Sequence, residues 1–139
     1  MEKSVLLTGS TGFLGSHLIP ELVRQGWNVI CLARSQKGVP AIDRIRGLIE
    51  TVCPPEEVQD IMAQVTVVEG DVSSPGLGME QQQYQRLQRL VDRIMHCAAM
   101  TTFDPGQAER QWAVNVEGTE NMVRLALDTP AAGQFHYVS

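Results

Sequence analysis

Three scarcities narrow what this chain can be. Cysteine is the first: Cys31, Cys53 and Cys97 are the only three in 139 residues. They are widely spaced and lack C-x-x-C or Cys/His ligand spacing, which excludes a disulfide framework and a zinc site. Each reads as a small apolar filler. Basic charge is the second, with 11 Lys and Arg against 16 Asp and Glu and a formal net charge of -5. The clustered cations whose counterion release drives binding to nucleic acid or an anionic membrane are therefore missing. Any anionic ligand must be held by local geometry. Long apolar runs are the third, because the longest last only a few residues and none spans a bilayer. The opening MEKSVLLTGS also lacks the apolar core and cleavage site of a signal peptide, so the expected setting is the cytoplasm. His17, His96 and His136 have no mutual spacing that points to a metal or to catalysis.

What remains is 43% hydrophobic and 19% charged, the range of one globular unit with a single core. One domain over residues 1–139 is expected, with no repeat or linker. Strand and helix alternate. SVLLT at 4–8 suits a strand buried on both faces. From Gly12 the apolar residues Leu14, Leu18 and Leu22, with Phe13, Ile19 and Val23, recur at helical spacing as far as Gln25, and Gly26 ends that helix. Pro20 inside it removes one backbone donor and predicts a bend without a break. NVICLA at 28–33 is a second strand. IDRIRGLIETVC at 42–53 is a helix closed by Pro54 and Pro55, and PEEVQDIMAQ a short helix with Glu56 and Glu57 in its first turn. VTVVE at 65–69 is a third strand. The glutamine-rich stretch from Gln81 to Val91 favours helix by propensity. RIMHC at 93–97 is a fourth strand, 107–127 one long helix, and FHYV at 135–138 a fifth strand.

Strands separated by helices require crossover connections and hence a parallel sheet. The fold class is α/β, a Rossmann-type doubly wound sheet of about five strands in the order 3-2-1-4-5. Ligands of such sheets bind at the carboxyl ends of the strands, beside the point where the order reverses. That point lies between strands 1 and 4, where TGSTGFLG at 8–15 and the CAA stretch at 97–99 both fall.

Gly9, Gly12 and Gly15 repeat at intervals of three, leaving a strand and opening a helix whose free N–H groups and positive dipole end suit a pyrophosphate. Gly9 allows a sharp turn, Gly12 lets a phosphate approach the backbone, and Gly15 lets the helix pack close to the sheet. Ser10 and Thr11 add hydroxyl donors. Beyond strand 2 stand Ala33 and Arg34, with no acid to take the ribose hydroxyls of NAD. Arginine there accommodates the 2′-phosphate of NADP.

Together T-G-x-x-G-x-x-G, CLARS after strand 2, GD after strand 3, CAA after strand 4 and NVEGTEN on the long helix resemble the extended short-chain dehydrogenase/reductase family. GFLG, the excursion from Ser35 to Gln64 and GDVSSPGLGM at 70–79 are most similar to its thioester-reductase branch: carboxylic acid reductases, fatty acyl-CoA reductases and terminal reductase domains of peptide and polyketide synthetases. The resemblance implies NADP(H) bound by Gly9, Ser10, Thr11, Gly12, Phe13, Leu14 and Gly15, by Arg34 with help from Arg44, by Asp71 and Val72 at the adenine, and by Cys97, Ala98 and Ala99 against the ribose. Arg44 has a second reading as a solvated helix charge, and Asp71 as a turn-forming residue before Ser73. Asn115 either braces the backbone near the active site or is a helix-surface amide.

The family's proton donor is a tyrosine followed four residues later by lysine. No Tyr-x-x-x-Lys exists here: Tyr84 is followed by Gln88, and Tyr137 lies two residues from the terminus. The family's catalytic Ser/Thr belongs just after strand 5, where the sequence reaches Ser139. No catalytic and no metal-binding residue is therefore assigned. The implied function is the cofactor portion of a reductase that passes hydride from NADPH to a small-molecule or carrier-bound acyl thioester, the chain alone being inactive. Alternatives are a sugar-nucleotide epimerase, dehydratase or flavonoid-type reductase, and a non-catalytic NADP-binding regulator. The strand 5 edge makes self-association an expectation as well.

Overall fold

The computed structural model describes residues 3–130 and 133–138. In chain order they form β1 (Lys3–Thr8), α1 (Phe13–Arg24), β2 (Trp27–Ala33), α2 (Ala41–Val52), α3 (Pro55–Ala63), β3 (Val65–Glu69), α4 (Gln81–Leu90), β4 (Arg93–His96), α5 (Ala108–Trp112), α6 (Gly118–Asp128) and β5 (Gln134–Tyr137). All strand pairs are parallel and the order is β3-β2-β1-β4-β5. This is the expected Rossmann-like topology. Ser139 lies outside the described residues.

Alternation along the central strands explains why both sheet faces are covered. Val5 and Leu7 of β1, with Val29 and Cys31 of β2, pack against Ile19 of α1, Ile45 and Ile49 of α2, and Ile61 of α3. Leu6, Ile30, Leu32 and Ile94 point the other way, onto Leu87 of α4 and Met122 and Leu125 of α6. Each such fully buried aliphatic side chain contributes about 1.5–3 kcal/mol relative to exposure. In register, Leu6 stands opposite Ile30 on one side and Ile94 on the other, so β1 is the axis of the sheet. Helix α1 runs uninterrupted through the buried Pro20. Among the described residues, no helix is long and apolar enough to cross a membrane.

One expectation is corrected. The single long helix read over 107–127 is four pieces: a 3₁₀ turn at Pro105–Gln107, α5, a π-helical turn at Ala113–Glu117, and α6. In a π turn each N–H reaches back five residues instead of four. One extra residue is wound in, and everything before it is rotated by about 100° relative to an unbroken helix.

Candidate functional site

At the carboxyl end of β1 the chain turns within four residues. Gly9 holds φ at +70°, and the Gly12 amide donates to the Gly9 carbonyl at 3.0 Å. Gly12 is the N-cap of α1, with no side-chain cap. Phe13, Leu14 and Gly15 thus form an uncapped first turn at the positive end of the helix dipole. A Cβ on Gly9 would stand 2.7 Å from the Cys97 carbonyl carbon and 2.8 Å from the Ala98 nitrogen, and one on Gly15 only 2.0 Å from the Gly9 oxygen. The first and third glycines are therefore demanded by backbone crossing backbone. At Gly15 the nearest obstacle is the entry turn of α1 itself, at Gly9 and Ser10. A Cβ on Gly12 meets only the Gly9 oxygen, at 3.3 Å, so this position keeps space open.

In front of this turn lies a cavity of about 570 Å³. The glycine turn supplies Gly9, Ser10, Thr11 and Gly12; the β2 end and α2 supply Ala33, Arg34 and Arg44; the β3 end supplies Gly70, Asp71 and Val72; and the stretch after β4 supplies Cys97, Ala98 and Ala99. Three expected residues are not in its wall. Gly15 is buried, and Phe13 and Leu14 turn their side chains to solvent. Only their amides face the start of the helix. The wall also contains Met100, Gln107, Arg110 and Val114, which the sequence did not reveal. Gln107, Arg110 and Val114 have the i, i+3, i+7 spacing of one helix face, the only signal that could have found them.

Two expected side-chain roles change. The Ser10 hydroxyl is not a free donor: it is buried and donates to the Leu7 carbonyl at 2.8 Å, spending its one proton on the end of β1. Arg44 donates to the Arg34 main-chain carbonyl, tying α2 to the segment after β2. Arg34 itself lies 3.6 Å from an Asp71 carboxylate oxygen. The other Asp71 oxygen accepts from the Ser73 amide at 2.9 Å and the Ser73 hydroxyl at 2.7 Å, the turn geometry weighed for this residue. Burial would raise the Asp71 carboxyl, but the Ser73 donors and then the Arg34 and Arg110 guanidiniums bring it below its ordinary value. Asp71 is a carboxylate at neutral pH.

A buried polar chain joins the strand ends to the helices. Thr8 Oγ1 accepts from the amides of Cys97 and Ala98, both at 3.1 Å. With both lone pairs engaged, its proton goes to His96 Nδ1, 2.6 Å away. The opposite ring nitrogen, Nε2, is 3.0 Å from Thr119 Oγ1, which donates its own proton to the Asn115 carbonyl at 2.7 Å. Nε2 must then carry the ring's hydrogen. His96 is fixed as one neutral tautomer, and burial pushes its pKa down. Asn115 accepts from the Met100 amide at 2.7 Å and donates to the Met100 carbonyl at 2.9 Å, so it braces the backbone. Asn121 donates to the carbonyls of Val72 at 2.8 Å and Ser74 at 3.2 Å, fastening α6 to the loop after β3. Among the described residues no group of His, Cys, Asp and Glu is placed to hold a metal.

Comparison with known proteins places this geometry. The model of an NAD-binding family described as Male sterility protein matches residues 7–139. The isonitrile lipopeptide synthase of Mycobacterium tuberculosis is 36% identical over 99% of this chain, which spans 6% of that protein. The fatty acyl-CoA reductase wat of Drosophila melanogaster is 33% identical over 90% of the chain and 25% of its own length. Among solved structures, the terminal R domain of the myxalamid PKS-NRPS pathway superposes with a TM-score of 0.83 at 35% identity, over 99% of this chain and 35% of that one. The reductase domain of a Mycobacterium tuberculosis nonribosomal peptide synthetase gives 0.77 at 35% identity, over all of this chain and 33% of that one. The chain spans about a third of these reductase domains.

Proposed function

We propose a function from one premise: the chain belongs to the NAD-binding family described as Male sterility protein. Its cavity holds NADP(H). The observation that carries this reading is the glycine turn, where a Cβ at Gly9 or Gly15 would collide with backbone while the space at Gly12 stays open before an uncapped helix start. The Phe13, Leu14 and Gly15 amides take the pyrophosphate. Arg34, just past the β2 end and within 3.6 Å of Asp71, takes the 2′-phosphate in a bidentate grip, and Arg44 holds the Arg34 backbone in place. Asp71 and Val72 meet the adenine. Cys97, Ala98 and Ala99 lie against the ribose, on a backbone that the Thr8 hydroxyl keeps oriented.

When bound, the reduced nicotinamide supplies hydride. In the whole protein that hydride goes to the carbonyl of a small-molecule or carrier-bound acyl thioester, releasing the thiol and an aldehyde, or an alcohol after a second round. Support comes from the relatives, which include synthetases and a fatty acyl-CoA reductase. The residues here bind and orient the cofactor. Tyr84, on α4, packs against the core, and the residue four positions after it is Gln88.

Calorimetric titration of the chain with NADPH and NADH tests the binding half, with tighter NADPH binding expected. Arg34→Ala weakens NADPH far more than NADH. Equal losses for both would remove the phosphate grip, and no heat with either nucleotide would remove the binding site. The catalytic half is tested by following NADPH absorbance in a polypeptide that continues to the relatives' length. Consumption with acyl-CoA or acyl-carrier substrates is expected, and none with any thioester would overturn it.

A further inference from the structure

The adenine end of the cavity presents a purine with an unusual wall. None of its lining residues is aromatic, so a bound base finds no ring to stack on. The planar groups available are guanidiniums and one amide. Arg34 is engaged with Asp71, and Arg44 with the Arg34 carbonyl. Arg110 differs from both. Its side chain is exposed along the same cavity, and its guanidinium makes no ion pair or hydrogen bond with any described residue.

The fold brings Arg110 and Arg34 to one cavity from different elements. One arises from the β2 end, the other from α5 beyond β4, and Asp71 lies within the field of both. The position of α5 is fixed at short range. Gln111 donates to the carbonyls of Met100 at 3.1 Å and Thr102 at 3.3 Å, and Asn115 grips Met100 from the next turn. The π turn at Ala113–Glu117 sets the rotation of α5, bringing Gln107, Arg110 and Val114 to the cavity in one line. This costs solvation of neither arginine until a ligand arrives. It also concentrates cations where the chain as a whole is acidic, with three guanidiniums facing one carboxylate in a molecule of net charge -5.

From this juxtaposition we infer that Arg110 is an adenine-binding residue, its guanidinium lying over the purine face. The inference rests on the cavity's being the dinucleotide site. A guanidinium over an aromatic face gains from the ring quadrupole as well as from contact, and the purine is common to NAD and NADP. Arg110 therefore adds affinity without choosing between them. Arg34 chooses.

The test is calorimetry of the 139-residue chain with NADPH, NADH and adenosine 5′-monophosphate. Arg110→Ala should weaken all three by a common factor of roughly three- to thirtyfold, and Arg110→Glu by more, because it sets a second carboxylate near Asp71. The exposed position leaves folding intact, which the thermal midpoint of each variant checks. A loss confined to NADPH would assign Arg110 to the phosphate and overturn the stacking role, as would unchanged affinities. Those outcomes leave wild-type NADPH binding in place. Wild-type protein silent with all nucleotides would instead remove the site and this inference together.

Discussion

Gly15 and His96 carry constraints of opposite kinds, one steric and one protonic. Gly15 faces the Gly9 oxygen so closely that a methyl group would stand 2.0 Å from it. Neither backbone can retreat, since Gly9 is itself pressed against Cys97 and Ala98. Gly15→Ala is expected to cost about 3 kcal/mol, the upper end of overpacking penalties, read as a lowered denaturant midpoint. His96 is constrained by its proton. The neutral ring satisfies both threonines, and its pKa is depressed by burial, so the folded form resists a charge that the unfolded chain accepts below the ordinary value of 6.5. Its contribution to stability is complete above that pH and is lost as pH falls through the folded-state pKa. Urea midpoints should fall from pH 7 toward acid, and His96→Gln should flatten that fall. The glycines were legible because their spacing is a motif. His96 was not, since its partners lie 88 residues upstream and 23 downstream, and no local pattern announces them.

At the scale of elements, the strands were readable because a parallel sheet buried on both faces demands short continuous apolar runs, and VTVVE coincides with β3 end to end. The α5–π–α6 segment was misread for an equally physical reason. Hydrophobic periodicity averages over several turns, and one extra residue in a single turn barely disturbs it. That residue is what turned Gln107, Arg110 and Val114 toward the cavity, so the misreading of the element and the missed site residues are one event. Farther along, α6 is fastened to the loop after β3 by Asn121, which reaches two carbonyls at once. Asn121→Ala should cost about 1–3 kcal/mol for the carbonyls it abandons. Hydrogen exchange should then quicken in the Val72–Ser74 stretch before it does in β1.

For the whole molecule, the sign of charge at the cavity opposes the sign of the total. Three of the eleven basic residues converge on one opening. NADPH, with its extra phosphate, should feel this field more than NADH, and salt screens it over about 10 Å at 0.1 M. Raising ionic strength from 0.05 to 0.5 M, on the order of a threefold shortening of the screening length, should weaken NADPH binding more steeply than NADH binding. Parallel slopes would mean that the second phosphate is held by short contacts alone.

The bond from Arg44 to the main chain of Arg34 limits how coenzyme preference could be re-engineered. Exchanging Arg34 alone for an acid, the usual route toward a ribose-hydroxyl acceptor, would set that acid beside a guanidinium already anchored to its own peptide. The newcomer would be captured by its neighbour, leaving a pocket indifferent to both coenzymes. A successful swap must rewrite the two positions together.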